Sequence, residues 1–279
     1  MSREQLRELA RETVEISRAG RYTVDGQVIL FDAARPTELW TAQDLDSLVR
    51  ETARPAEGPS AAIEVRGEGT VDAIFRLADG ETLCPKIGVL NFASAKNPGG
   101  GFLNGSVAQE ECLAFCSNLY HTQTTGQGPR YYEINRANRD PVYTDTMLIG
   151  DVTFFRTAGY ALTADAVTCP VITAPAVNMG IVVRDGGDAD RARKVMRGRM
   201  EKILALFARW GCSRLILGAY GCGVFRNDPV DVARFWQELL VGEGWGRLFE
   251  QVSFSILERP GQDGNIAPCR QIFGGPTNI

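Results

Sequence analysis

Residues 97–115 read NPGGGFLNGSVAQEECLAF: three consecutive glycines, seven further residues, then Gln109 and two adjacent carboxylates, Glu110 and Glu111. Paired carboxylates are the working groups of most glycosidases, one protonating the leaving oxygen and the other serving as base or nucleophile. An acid pair at a helix start also has a plainer reading, because it complements the helix dipole while staying solvated. The preceding glycines point away from that reading. They let backbone N–H groups approach a ligand with no Cβ in the way, and a helix start adds free donors and about half a positive charge. Neighbouring helix positions point about 100° apart, so Glu110 and Glu111 would reach one ligand from two angles.

A second loop repeats the arrangement. Residues 215–229, LILGAYGCGVFRNDP, run from an apolar strand through Gly218, Gly221 and Gly223 to Asp228 and Pro229, a cap and first-turn pair for a helix. This is neither a Walker A loop nor a G-x-G-x-x-G fingerprint. Two such loops on neighbouring strands would enclose a diphosphate between backbone amides. Phe225 follows directly and would either stack on a sugar or base, or pack into the core.

The wider composition narrows the chemistry. The chain has 279 residues, 44% of them hydrophobic and 23% charged, which suits a soluble globular protein. Its net charge of −4 gives no electrostatic footprint for gripping nucleic acid, so sequence-specific nucleic-acid binding is not expected. The N-terminus lacks the apolar core of a secretory signal, and no stretch approaches the length of a membrane helix. Seven scattered cysteines without C-x-x-C spacing read as reduced cytoplasmic thiols. His121 is the one histidine, so a histidine-rich zinc site or a Ser-His-Asp triad would rest on it alone. A phosphatase or transferase using Cys222 or Cys112 as nucleophile meets the same shortage of bases.

The elements that must position these residues follow an α/β pattern. Residues 3–18 read as a helix capped by Ser2 and stopped at Gly20, followed by a hairpin around Asp25-Gly26 and a helix opened by Thr41 and Asp44. A Pro/Gly/Ser-rich connector then closes a small, mainly helical appendage, residues 1–60. From residue 61 apolar runs alternate with helical patterns: AIEVRG, KIGVLNFAS, MLIGDVTFF, VITAPAV, RLILGAY and QVSFSIL as strands, with helices near 71–78, 189–210 and 229–240. Such alternation predicts a layered α/β domain over 61–279 with a mixed or largely parallel central sheet. The glycine loop then lies at the carboxyl end of one strand and the amino end of a helix, where α/β sheets bind ligands. Ser106 and Gln109 fit a capping box for that helix. The tail after Arg259, with Pro260, Gly261, Gly264, Gly274, Gly275 and Pro276, reads as loop.

Gly99-Gly100-Gly101 and Gln109-Glu110-Glu111, with seven residues between them, resemble the GGG…QEE signature of the poly(ADP-ribose) glycohydrolases. GAYGCGVF, residues 218–225, resembles that family's diphosphate-binding loop, and the separation of about 110 residues also fits. The resemblance covers roughly residues 61–257. It implies a macrodomain-like three-layer α/β/α core and hydrolysis of ribose–ribose O-glycosidic bonds in poly(ADP-ribose) or on ADP-ribosylated proteins. The product would be ADP-ribose, released without metal or cofactor. It further implies Glu111 as the acid/base, Glu110 as the group that positions ribose hydroxyls, and Gln109 as support for the loop or ribose. Gly99, Gly100 and Gly101, with Gly221, Cys222, Gly223 and Val224, would hold the diphosphate, with Phe225 on the adjoining ribose. Asn91, Ser94 and Asn97 occupy the segment where the family places a ribose-contacting asparagine. A macrodomain that binds ADP-ribose without cleaving it would share the fold and the loops but would have no use for the two glutamates.

Overall fold

The computed structural model describes residues 1–31, 35–258 and 264–274. Helix α1 (Arg3–Ala19) starts in a capping box built by Ser2 and Gln5 and ends at Gly20. Strands β1 (Arg21–Val24) and β2 (Gln27–Leu30) form a two-stranded hairpin in which Asp25 and Gly26 both adopt positive φ, as a type I′ turn requires. After β3 (Glu38–Trp40), Thr41 and Asp44 cap α2 (Ala42–Glu51) reciprocally.

The remaining elements build the layered body. They are β4 (Ala62–Arg66), α3 (Thr70–Ala78), β5 (Ile87–Ala93), α4 (Gln109–Cys116), α5 (Leu119–Thr124), α6 (Gly128–Ala137), β6 (Met147–Arg156) and β7 (Leu162–Pro175). Then come α7 (Met179–Arg184), α8 (Ala189–Trp210), β8 (Arg214–Leu217), α9 (Pro229–Gln237), β9 (Gln251–Ser255) and α10 (Ala267–Phe273). A seven-stranded mixed sheet runs β3-β6-β7-β5-β8-β9-β4. The β3/β6 and β6/β7 pairs are antiparallel, and the rest are parallel.

The strand pleat divides side chains between two cores. On β7, Val167, Cys169 and Val171 face α1, α3 and α4, whereas Ile172 and Ala174 face the layer of α2, α8 and α9. The sheet is therefore covered on both faces, as a largely parallel sheet must be. Residues before 61 share in this body: β3 forms one sheet edge, and Leu6, Leu9 and Ala10 of α1 enter the core beside α4.

Three sequence expectations differ. In the described part of the tail, Ala267–Phe273 is helical and Cys269 is buried, so that segment is not loop. Pro260, Gly261, Gly275 and Pro276 lie outside the described residues. The expected strand VITAPAV is the end of the longer β7, which starts at Leu162, and the helix expected over 229–240 changes to a π-helical turn at Glu238–Gly242. Among the described residues no helix is long and apolar enough to cross a membrane.

A buried cation fixes the backbone beside β7. Arg199 of α8 is fully buried and donates to Asp145 Oδ1 (2.8 Å), Pro175 O (2.7 Å) and Val142 O (2.7 Å). Lys202 reaches Asp145 Oδ2 at 2.5 Å and Asp46 at 2.7 Å. Burial pushes the Asp145 carboxyl up, but the two cations outweigh it and hold the group below the ordinary carboxylate range. Arg199→Met removes three buried donors and leaves Asp145 to Lys202 alone. It should lower the unfolding free energy by about 3–5 kcal/mol, read by urea titration, and a loss under about 1 kcal/mol would show that Lys202 suffices.

Candidate active site

Strands β5, β7 and β8 run parallel, so their carboxyl ends share one edge of the sheet. The segments leaving that edge touch. The rings of Phe92 and Tyr220 lie 5.6 Å apart, and Asn227 donates to Val177 O (2.8 Å) just beyond β7 and to Gly221 O (3.0 Å). The second glycine loop is thereby packed against the ends of β5 and β7, on the sheet edge that the first loop also leaves.

Gln109 opens α4, but not as part of a capping box. Ala108 occupies the cap position without a side-chain bond. The physical reason lies in β5, which pairs with β8 only from Ile87 to Val89. Beyond that point the Gln109 amide supplies the missing neighbour: Oε1 accepts from Phe92 N–H (2.9 Å) and Nε2 donates to Leu90 O (2.8 Å). This is the bonding of one residue in a parallel ladder, made by a side chain. It pins the start of α4 against β5, and the following two residues inherit that placement.

Both carboxylates are desolvated, with Glu110 4% and Glu111 8% exposed. Glu110 Oε1 accepts from Asn91 Nδ2 (3.2 Å) and Gln123 Nε2 (3.0 Å), and its Oε2 accepts from Ser94 N–H (2.7 Å). Glu111 Oε1 accepts from Gly101 N–H (2.8 Å). They converge on Gly100, where an added Cβ would stand 2.5 Å from Glu111 Oε1 and 3.1 Å from Glu110 Oε2. Gly100 also has φ of +59°, so both space and backbone conformation demand glycine there. Burial pushes Glu110 up to about 8 against the pull of its Ser94, Asn91 and Gln123 donors, and the charge of Glu111 adds to the rise.

The triple-glycine amides correct the expected cradle. Gly99 N–H donates to Gln123 Oε1 (2.7 Å), Gly100 N–H to Asn97 O (2.9 Å) and Gly101 N–H to Glu111 Oε1. All three are engaged inside the protein, so this loop holds carboxylates and offers no open anion nest. The open donors are on the other loop. The N–H groups of Gly223, Val224 and Phe225 have no acceptor among the described residues, and Gly223 and Val224 are exposed. Three successive unbonded amides offer donors to an anion.

The other expected residues fall around this centre. Asn91 is fully buried beneath Glu110 and also donates to Thr173 Oγ1 (3.2 Å), so it acts through that carboxylate. Asn97 is exposed at the turn into the glycines. Ser94 contributes its backbone N–H to Glu110, while its hydroxyl accepts from the N–H groups of Lys96 and Asn97. Phe225 is half-buried with its ring 5.8 Å from Tyr143. Tyr143 and Arg226 both have positive φ, 57° and 55°, so the backbone on either side of this aromatic pair is strained.

Cys222 contacts its own loop at Tyr220 O, and burial raises its thiol well above the ordinary range, which disfavours a thiolate nucleophile. His121 is on α5, where burial and the neighbouring Arg18 lower its pKa. Gln123 and Tyr143 carry no sequence motif; only the folded chain brings them to the site.

Residues 10–157 match the family described as microbial-type PARG, catalytic domain, PARG being poly(ADP-ribose) glycohydrolase. The structure is similar to that of poly(ADP-ribose) glycohydrolase from Thermomonospora curvata, with 36% identity over 97% of this chain and 98% of that one and a TM-score of 0.87. It is similar to the same organism's enzyme bound to the inhibitor ADP-HPD (36% identity, the same coverage, TM-score 0.84). The Deinococcus radiodurans enzyme in complex with ADP-ribose is 38% identical over 84% of this chain and 93% of that one, with a TM-score of 0.75. No curated protein matches the chain.

Two expected outcomes test this geometry. A carboxyl whose folded-state pKa of about 8 exceeds its ordinary 4.5 favours folding fully below about pH 4.5, and that contribution is lost as pH rises through about 8. Wild-type stability should therefore fall relative to Glu110→Gln over that window, by a few kcal/mol, in urea unfolding at a series of pH values. A difference that stays flat would place the Glu110 titration elsewhere. At the second loop, an added Cβ on Gly221 would lie 2.5 Å from Ala176 Cβ at φ of +74°, whereas Gly223 has nothing within 4 Å. Gly221→Ala should lose roughly 1–3 kcal/mol and Gly223→Ala almost nothing by thermal unfolding; equal losses would refute the distinction.

Proposed function

The chain belongs to the microbial-type poly(ADP-ribose) glycohydrolase family, and we propose that it hydrolyses the ribose–ribose O-glycosidic bonds of poly(ADP-ribose) with Glu111 as its acid/base and ADP-ribose as its product. The observation that carries this reading is the convergence of two desolvated carboxylates on Gly100, one of them fixed by the amide of Gly101. A module that only binds ADP-ribose needs no such pair, because desolvating carboxylates opposes folding.

In this reading Glu111 gives its proton to the leaving ribose oxygen as the glycosidic bond breaks. The resulting carboxylate takes a proton from water, whose hydroxide adds to the cationic anomeric carbon, and Glu111 returns to its starting form. Glu110 holds the ribose: its Oε2 accepts one N–H in the free protein and has a lone pair left for a sugar hydroxyl. The diphosphate sits on the open amides of Gly223, Val224 and Phe225, and its negative charge stabilises the developing cation. The Phe225 ring, backed by Tyr143, carries the adjoining ribose.

No step in this scheme requires a metal or cofactor. Among the described residues no group of three or more His, Cys, Asp or Glu is arranged to hold a metal. The sheet and its two helical layers then serve as a macrodomain-like core, with residues 61–279 carrying the chemistry. Residues 1–60 act as an accessory region, and α1 braces the catalytic loop through Arg3 Nε to Asn104 O (2.9 Å). The seven free cysteines suit a cytoplasmic setting.

Glu111→Gln keeps the shape and much of the bonding but removes the transferable proton. It should retain ADP-ribose affinity by calorimetry and lose roughly 100- to 10,000-fold in polymer cleavage. Cleavage within a few-fold of wild type would remove Glu111 from the acid/base role. The active form carries one proton on the pair, with Glu110 ionised and Glu111 protonated, so in the wild type kcat/KM should fall as pH rises through about 8 and that proton is lost.

A further inference from the structure

One buried side chain outside every sequence motif touches both halves of the site. Gln123 of α5 is fully buried. Its Oε1 accepts from Gly99 N–H at 2.7 Å, and its Nε2 donates to Glu110 Oε1 at 3.0 Å and to Thr173 Oγ1 at 3.4 Å. The amide carbonyl thus holds the first residue of the glycine turn, and the amide nitrogen holds the carboxylate toward which that turn leads. Gly100 and Gly101 follow directly, and Gly101 N–H fixes Glu111. A single planar amide therefore sets the separation between the loop and Glu110.

We propose that Gln123 is a positioning residue for hydrolysis, locking the triple-glycine turn to Glu110 and stabilising the ionised form of that carboxylate by donating to it. The proposal rests on the reading of Glu110 and Glu111 as the hydrolytic pair. Two features of the site support it. An uncharged amide satisfies an N–H donor and a carboxylate acceptor at once, which neither a carboxylate nor an ammonium group can do. The titratable groups facing Glu110 are Glu111 on its own helix and Tyr131 and Tyr132 of α6, and burial raises both tyrosines well above their ordinary range. Those phenols stay neutral while Glu110 titrates, so Gln123, Asn91 and Ser94 N–H provide the stabilisation of its charge.

Two substitutions separate this role from simple packing. Gln123→Met keeps the length and apolar bulk but removes both bonds, so Glu110 should titrate higher and the turn should lose its anchor. Cleavage should fall roughly 100-fold near neutral pH, with the deficit shrinking as pH rises and Glu110 ionises. Gln123→Glu still accepts from Gly99 N–H but places a second carboxyl against Glu110, and the pair must share a proton. Its activity relative to wild type should fall as pH rises, the opposite trend.

The measurements are kcat/KM on poly(ADP-ribose) between about pH 6 and 9, and 13C titration of the Glu110 carboxyl in labelled wild-type and Gln123→Met protein. Opposite pH trends with an upward-shifted Glu110 titration in Gln123→Met are expected. Activity ratios that stay flat with pH, or an unmoved Glu110 titration, overturn the proposal. If wild-type protein fails to cleave the polymer, the hydrolase reading falls by that assay alone, and the titration still decides whether Gln123 stabilises the Glu110 anion.

Discussion

The site is organised around a carboxylate that the fold has taken out of water. Glu110 sits among groups that would favour its neutral form, and only three N–H donors, from Asn91, Gln123 and Ser94, act against that. Each donor comes from a different part of the chain: the interior of β5, the short helix α5 and the backbone just beyond β5. Their agreement requires the sheet edge, the glycine turn and the helix start to be in register within a few tenths of an ångström. Glu111 depends on the same register, because Gly101, whose amide holds it, is two residues from the glycine anchored by Gln123.

That register is created where the sheet stops being a sheet. β5 continues past the last residue paired with β8, which leaves a strand edge with groups to satisfy beside the site. A longer β8 would have closed this edge and buried the space above it. Instead the Gln109 side chain takes the ladder bonds of Phe92 and Leu90, so the helix is joined to the strand by an amide. Gln109 thus acts as part of the sheet, and its capping role at the helix is absent for that reason.

How much of this was legible in the sequence follows from the range of the forces involved. Local patterns identified α1, the Asp25-Gly26 hairpin, α2, α8 and every other strand except the edge strand β3 and the first half of β7, because caps, turn residues and apolar periodicity act within a few positions. The two glycine loops and the glutamate pair were also visible. What the loop amides bond to was not, because the partners of Gly99 and Gly101 are Gln123 and Glu111, and spacing alone cannot distinguish an amide aimed at a ligand from one aimed at a side chain. Likewise Ser106 and Gln109 have capping-box spacing, but the competing bond to β5 exists only once the strand is in place. The short helix α10 was missed because seven residues with Pro268 in the first turn and Gly274 after them look like loop until Cys269 is seen packed against the body.

The division of labour between the loops has an electrostatic logic. Poly(ADP-ribose) brings two negative charges per diphosphate to a site that already holds two carboxyl groups, and like charges in a low-dielectric site repel strongly. Had the triple-glycine amides been open, the diphosphate would have been drawn against Glu110 and Glu111, opposing the ionisation that ribose binding by Glu110 requires. Committing those amides internally removes that competing anion site. The amides left open lie instead at Gly223, Val224 and Phe225, beyond a different strand, and the proposed function assigns the anion to them. In the proposed reaction its charge favours the developing cation from there, while the carboxylates bind sugar and move a proton. In the proposed reaction, which glycine amides are saturated thus matters as much as which are exposed.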